Sequence, residues 1–325
     1  MLTKKQNLLE VIKGGNPDRF VKQYEFLEII MEIPMVKRAF LEPGTEGKNP
    51  WGVYYRWPEG HIGQMPVHGE HTVVKDITEW EKYVKAPSVK FPDEEWAAAV
   101  EHANSVDRNE QYVTVPYFGG LFEMCHHLMS MENALIAFYE EPEHVHELID
   151  YVTEYELAYA KEVIDRLHPD ALFHHDDWGT QRNSFLSPEM FKEFFLEPYK
   201  KIYGFYKDNG VELVVHHCDC YAANLVPYMI EMGIDIWQGC MTTNNIPELI
   251  KKYGGQISFM GGIDSGVVDF PGWNQEIVER EVEKACNYGK LYFIPCLTQG
   301  LNISSFPGVY EAVDDAIDKM SKKMF

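Results

Sequence analysis

The sequence predicts an α/β protein with a (β/α)8 TIM-type barrel, formed by residues 1–325 as one domain. Three observations predict it. Short apolar runs alternate with longer amphipathic ones through the second two thirds of the chain. Glycines stand where the helices should end. No G-x-G-x-x-G or G-x-x-x-x-G-K-[ST] phosphate loop is present. The last point separates a barrel from a doubly wound open sheet, which usually carries such a loop after its first strand.

The chain opens on an amphipathic helix without the apolar run of a signal peptide. Residues 33–92 are rich in Pro, Gly and aromatics, and read as a loop or hairpin excursion. Residues 111–117 read as a strand, followed by helices at 119–128, 131–139 and 142–167. Residues 170–175 are the second strand and 187–207 a helix. The start of that helix, Ser187-Pro188-Glu189, supplies an N-cap and then proline at the first helical position. The remaining strand and helix pairs are 211–216 with 222–232, 234–238 with 246–253, 256–260 with 274–288, and 291–295 with 307–322. Gly210, Gly233, Gly254 and Gly289 close four of the helices. Six such units leave room for one or two strands upstream.

Composition narrows the function. Twenty-nine Lys and Arg stand against 51 Asp and Glu, a net charge of −22. Nucleic acid and anionic membrane surfaces both require clustered cations, so neither is an expected partner. No run approaches the roughly 18 apolar residues of a spanning helix, and the expected location is the cytoplasm. Six cysteines are too few for a disulfide scaffold, which leaves core, metal-binding or catalytic roles.

Residues with metal or acid–base potential follow the strand ends. They are His174, His175, Asp176 and Asp177; then His216, His217, Cys218, Asp219 and Cys220; then Gln238 and Cys240; then Gly261-Gly262-Ile263-Asp264; then Cys296. In a barrel the C-terminal strand ends surround one mouth, where these groups would converge. Residues i and i+2 of an extended segment point the same way, so His216 and Cys218 can reach one point. With Cys296 they form a three-ligand zinc set that leaves one position open. Buried structural cysteines are the other reading of the same residues. Asp176 and Asp177, with His174 or His175, are the candidate catalytic groups, and one member of each adjacent pair should face the axis. Gly262, Asp264 and Trp178 are candidates for substrate contact. Cys125-His126-His127 falls on a helix and reads as core or surface.

The sequence resembles the uroporphyrinogen decarboxylase superfamily, and within it the zinc-dependent, corrinoid-linked methyltransferase branch. The resemblance rests on Asn16-Pro17-Asp18-Arg19-Phe20, on Asp176-Asp177-Trp178-Gly179-Thr180-Gln181 with Ser187-Pro188-Glu189, and on His216-His217-Cys218. Gly261-Gly262-Ile263-Asp264 and Tyr292-Phe293-Ile294-Pro295-Cys296 complete it. It implies that His216, Cys218 and Cys296 hold zinc. The arginine cluster of the decarboxylase proper is missing, since residues 20–26 carry one Lys and no Arg. Two departures concern the metal. The branch tends to have His-Ile-Cys-Gly where this chain has His216-His217-Cys218-Asp219. The glutamate it places near the end of the next strand has no counterpart in 236–241, so Gln238, Cys240 or water would take the fourth position.

The expected activity is therefore transfer of a methyl group from a methoxylated, aromatic substrate to the cobalt of a corrinoid protein, as in O-demethylases. Zn2+ would act as Lewis acid, and the aromatic excursion (Trp51, Tyr54, Tyr55, Trp57) would cover the substrate. The alternatives are methyl transfer from a methyl-corrinoid to a coenzyme M-type thiol, porphyrinogen decarboxylation, and a non-catalytic corrinoid-binding barrel. A homodimer is compatible with this fold.

Overall fold

The computed structural model describes residues 1–325. Its centre is a seven-stranded parallel sheet curled about an axis. The strands are β1 (Leu27–Ile29), β5 (Tyr112–Phe118), β6 (Ala171–His175), β7 (Leu213–His217), β8 (Ile236–Cys240), β9 (Ser258–Ile263) and β10 (Phe293–Leu297), hydrogen-bonded in that order. β2 (Glu46–Lys48), β3 (Tyr54–Arg56) and β4 (Met65–Pro66) form a separate antiparallel meander within the excursion.

The expected eight-stranded closure is not what forms. No ladder joins β10 to β1. At this seam the Gln23 side chain stands in for a strand: its Oε1 accepts from Leu297 N at 3.2 Å, and its Nε2 donates to Asp314 at 2.9 Å. Gln23 is fully buried, so every polar atom it brings needs such a partner.

The first helix, α1 (Lys4–Ile12), starts at a capping box on Thr3. Its Leu8 and Val11 join the axial cluster beneath the sheet. After α2 (Pro34–Ala39) and α3 (Asp93–Ser105) come α4 (Leu121–Met129), α5 (Met131–Glu140) and α6 (Pro142–Leu167). α7 (Pro188–Phe191) and α8 (Glu197–Asp208) were expected as one helix; a π turn at Lys192–Leu196 separates them. Pro198 supplies the reason, because its ring crowds the carbonyl four residues back and the turn widens to admit it. The wall ends with α9 (Val226–Met232), α10 (Ile246–Tyr253), α11 (Ser265–Val268), α12 (Gln275–Cys286) and α13 (Val309–Met324). No helix is long and apolar enough to cross a membrane.

Two cores share the sheet. Tyr112, Phe173, Leu213, Val215, Ile236 and Cys296 point to the axis. Val113, Leu172, Val214, Cys218, Trp237 and Phe259 point outward into the helices. Strand residues therefore alternate between two apolar environments, and which parity faces the axis decides where every polar side chain goes.

Candidate functional site

On β6, Phe173 is axial, so His175 and then Asp177 continue on that side. On β7, Val215 is axial, which puts His217 and Asp219 on the same side and His216 and Cys218 on the other. His175, Asp177, His217 and Asp219 accordingly line one cavity of about 350 Å3 at the mouth, together with Glu123 of α4. One ligand atom each from His175, Asp177 and His217 lies within 4.8 Å of the others. The imidazoles of His175 and His217 stack with centroids 4.4 Å apart.

The surrounding groups orient both rings. Gln238 donates through Nε2 to the carbonyls of Leu297 (3.3 Å) and Gln299 (3.2 Å). Its Oε1 is thereby turned to His217 Nδ1, so that nitrogen carries the proton and Nε2 keeps its lone pair. His175 Nδ1 lies 3.0 Å from Glu123 Oε2. Outer partners on Nδ1 with Nε2 left free are how ligating histidines are usually held. Asp177 Oδ1 accepts from the Asp219 backbone N–H at 2.9 Å, tying the two strand ends together.

The electrostatics are crowded. Burial and the neighbouring Asp177 push the Asp219 carboxyl up to about 8. Burial opposes charge on His175, but Glu123, Asp177 and Asp219 outweigh it and hold the imidazolium up to about 10. Burial, with His175 beside it, drives His217 down to about 4. Three carboxyl groups thus meet three imidazoles, those of His127, His175 and His217, in a pocket that no Lys or Arg lines.

The aromatic walls come from the excursion and from β5 and α6: Phe40, Trp51, Tyr55, Tyr117, Phe118 and Tyr155. Trp51 packs edge-on to Tyr155 at 4.8 Å. Two of the four aromatics expected as a cover stand elsewhere: Tyr54 stacks on His71 and Trp57 packs beside Phe40. A Cβ at Gly300 would lie 3.1 Å from His217 Cε1, so the glycine leaves that imidazole uncrowded beside the cavity.

The expected thiolate set is not assembled. His216 packs outward: its Nδ1 lies 2.8 Å from Tyr203 Oη, and its ring stacks on Trp178 at 4.1 Å. Cys218 Sγ accepts from Trp178 N and lies 3.1 Å from Cys220 Sγ. Cys296 is axial, with Gln23 Oε1 as its partner. The i, i+2 rule held for His216 and Cys218, but they share the outer face while Cys296 lies on the inner one. Cys240 is also outward, because a bulge with Gly239 at φ +85° shifts the register of β8 after Gln238.

Parity corrects the acid–base candidates as well. His174 is buried against α6, with Nε2 3.0 Å from Glu156 Oε2. Asp176 accepts from the backbone N–H groups of Phe122 and Glu123, from Trp178 Nε1 and from Tyr199 Oη, so it fastens α4 to the sheet. Trp178 belongs to that anchor, is buried, and does not line the main cavity. Gly262 sits at φ +80° among Tyr288 and Phe293, where it lets β9 approach α12. Asp264 caps α11 through Gly266 N and lines a separate polar recess of about 300 Å3, which shares Asp219 with the main cavity.

The sequence reading places His217 and Asp219 at the mouth without giving them a role, and it does not include Glu123. His217-x-Asp219 is the same i, i+2 pattern one residue later. Glu123 lies at a helix start directly after a strand, which is a mouth position in this architecture.

A family model described as uroporphyrinogen decarboxylase (URO-D) matches residues 55–316. Among solved structures, a methyltransferase from Methanosarcina mazei superposes with a TM-score of 0.71 at 14% identity, covering 98% of this chain and 99% of that one. At this identity the likeness bears on the fold. No curated protein matches the sequence.

Proposed function

The chain belongs to the uroporphyrinogen decarboxylase family, and from that membership we propose that it is a metal-dependent methyltransferase acting on a methoxylated aromatic compound, with the cobalt of a partner corrinoid protein as acceptor. The observation that carries this reading is the cavity itself: two imidazoles with Nδ1 held and Nε2 free, one carboxylate beside them, and aromatic walls above.

Zn2+ needs its nitrogen, oxygen or sulfur donors gathered around one point. The thiolate set does not fit, because its members stand on opposite faces of β7 and β10. His175, His217 and Asp177 do fit: two neutral-capable nitrogens and one oxygen within 4.8 Å of one another are a usual set for Zn2+ or a similar divalent ion. When bound there, such a cation supplies Lewis acidity at the departing oxygen. The protein's own residues do the rest. Glu123 and Gln238 fix the two rings. Phe40, Trp51 and Tyr55 hold an aromatic ring and exclude water. Asp219 stands beside Asp177, placed to hydrogen-bond the oxygen that loses its methyl group.

Porphyrinogen decarboxylation is disfavoured. A polycarboxylate substrate would need cations, and the cavity contains Glu123, Asp177 and Asp219 with no Lys or Arg. The test mixes the protein with a reduced corrinoid protein and a panel of methoxylated aromatics, and follows the cobalt spectrum. Conversion of cobalt(I) to methyl-cobalt, with release of the matching phenol, supports the reading. Methyl transfer from methyl-corrinoid to a thiol, with no reaction of any ether, would replace it. Decarboxylation of a porphyrinogen without metal would overturn it.

A further inference from the structure

The helix bordering the cavity carries a second constellation. On α4, Glu123, His126 and His127 occupy positions i, i+3 and i+4, which share one helical face. One ligand atom from each lies within 4.8 Å of the other two. His126 and His127 read from sequence as core or surface; both are half-buried, and His127 lines the cavity.

From this geometry we infer that Glu123, His126 and His127 form a second site for a divalent transition-metal cation, adjacent to the His175, Asp177 and His217 group. The chemistry is that of a two-histidine, one-carboxylate set, which suits Zn2+, Co2+ or Fe2+ and is poor for Mg2+ or Ca2+. Two further observations support it. His127 Nδ1 lies 3.0 Å from Tyr55 Oη, a contact that orients the ring from the excursion side. Glu123 lies between the two groups: its Oε2 faces His175 Nδ1, which leaves Oε1 for α4's own histidines. A carboxylate at that position links the two sites, so occupation of one favours an ordered Glu123 at the other.

The site predicts a stoichiometry. Apo-protein titrated with Zn2+ alone, and separately with Co2+ alone, is expected to bind two equivalents, read by calorimetry and by elemental analysis after gel filtration. His126→Gln and the pair His126→Gln/His127→Gln should each lose one equivalent and keep the other. His217→Gln should lose the other one. Circular dichroism and melting temperature check that each variant is folded. His126→Gln is the safer variant, because His126 is held only by ring packing on Phe122 and His127. One equivalent in the wild type that survives both α4 variants overturns the second site and leaves the first. One equivalent abolished equally by His126→Gln and His217→Gln overturns it in favour of a single shared centre. No bound metal at all overturns both.

Discussion

Gln238→Met tests the orientation of His217 without touching the cavity. Methionine nearly matches glutamine in length but offers His217 Nδ1 no comparable acceptor. Three contacts vanish: the one to His217 and those to the carbonyls of Leu297 and Gln299. All are buried, and the two carbonyl contacts are long, so each orphaned group costs roughly 1 kcal/mol and the loss of stability is about 2–3 kcal/mol. Removing an outer partner of a ligating histidine typically costs about 10–100-fold in metal affinity. The assay is competition for Zn2+ against a chromophoric chelator, alongside urea unfolding of the apo-protein. Cys240→Ser serves as a control, since Cys240 faces outward from the next position but one on the same strand. Unchanged affinity in a folded Gln238→Met protein, or an equal loss in Cys240→Ser, would refute the reasoning.

Three other outcomes are expected. Gly120→Ala drives a Cβ to 2.5 Å from the Asp176 Cβ and 2.7 Å from His174 Cε1; it should cost about 1–3 kcal/mol in chemical denaturation, and a neutral effect would mean that the α4 anchor is loose. Trp51→Ala removes an aromatic wall and its edge-on contact with Tyr155; binding of a methoxyaromatic should weaken about 3–10-fold, and calorimetry showing no change would place the substrate elsewhere. His102 lies 3.0 Å from Glu32 and 3.1 Å from Glu28, and these partners raise its pKa above the ordinary 6.5, Glu32 foremost. A raised pKa stabilises the fold below 6.5 and the gain is lost as pH climbs through the folded value. His102→Gln should thus cost under about 1 kcal/mol at pH 5, the groups being partly exposed, and nothing at pH 9; the reverse order would contradict the sign.

Much of the fold was legible because helices announce themselves. The helices expected at 142–167 and 246–253 form at Pro142–Leu167 and Ile246–Tyr253, where apolar periodicity and flanking proline or glycine agree. Six of the seven sheet strands match expected ones; the first two lie within one residue, and the last four were expected about two residues early, as 234–238 against Ile236–Cys240 and 291–295 against Phe293–Leu297. The cause is physical. A parallel sheet covered on both faces is apolar on both, so its strands show no alternation from which an end or a parity can be read. In Leu213-Val214-Val215-His216-His217 nothing tells which histidine is axial, and choosing the wrong one moves the whole ligand set to the far side of the sheet. The convergence at the mouth was readable, but its membership was not. The open seam was also hidden, since no periodic pattern marks Gln23, whose buried side chain bonds across it.

X-ray absorption at the zinc edge of the metal-loaded protein reads the central claim directly. Ligation by His175, Asp177 and His217 predicts nitrogen and oxygen scatterers at about 2.0–2.2 Å and no sulfur, with the spectrum unchanged in Cys218→Ser. A sulfur shell at about 2.3 Å that disappears in Cys218→Ser or Cys296→Ser would contradict it.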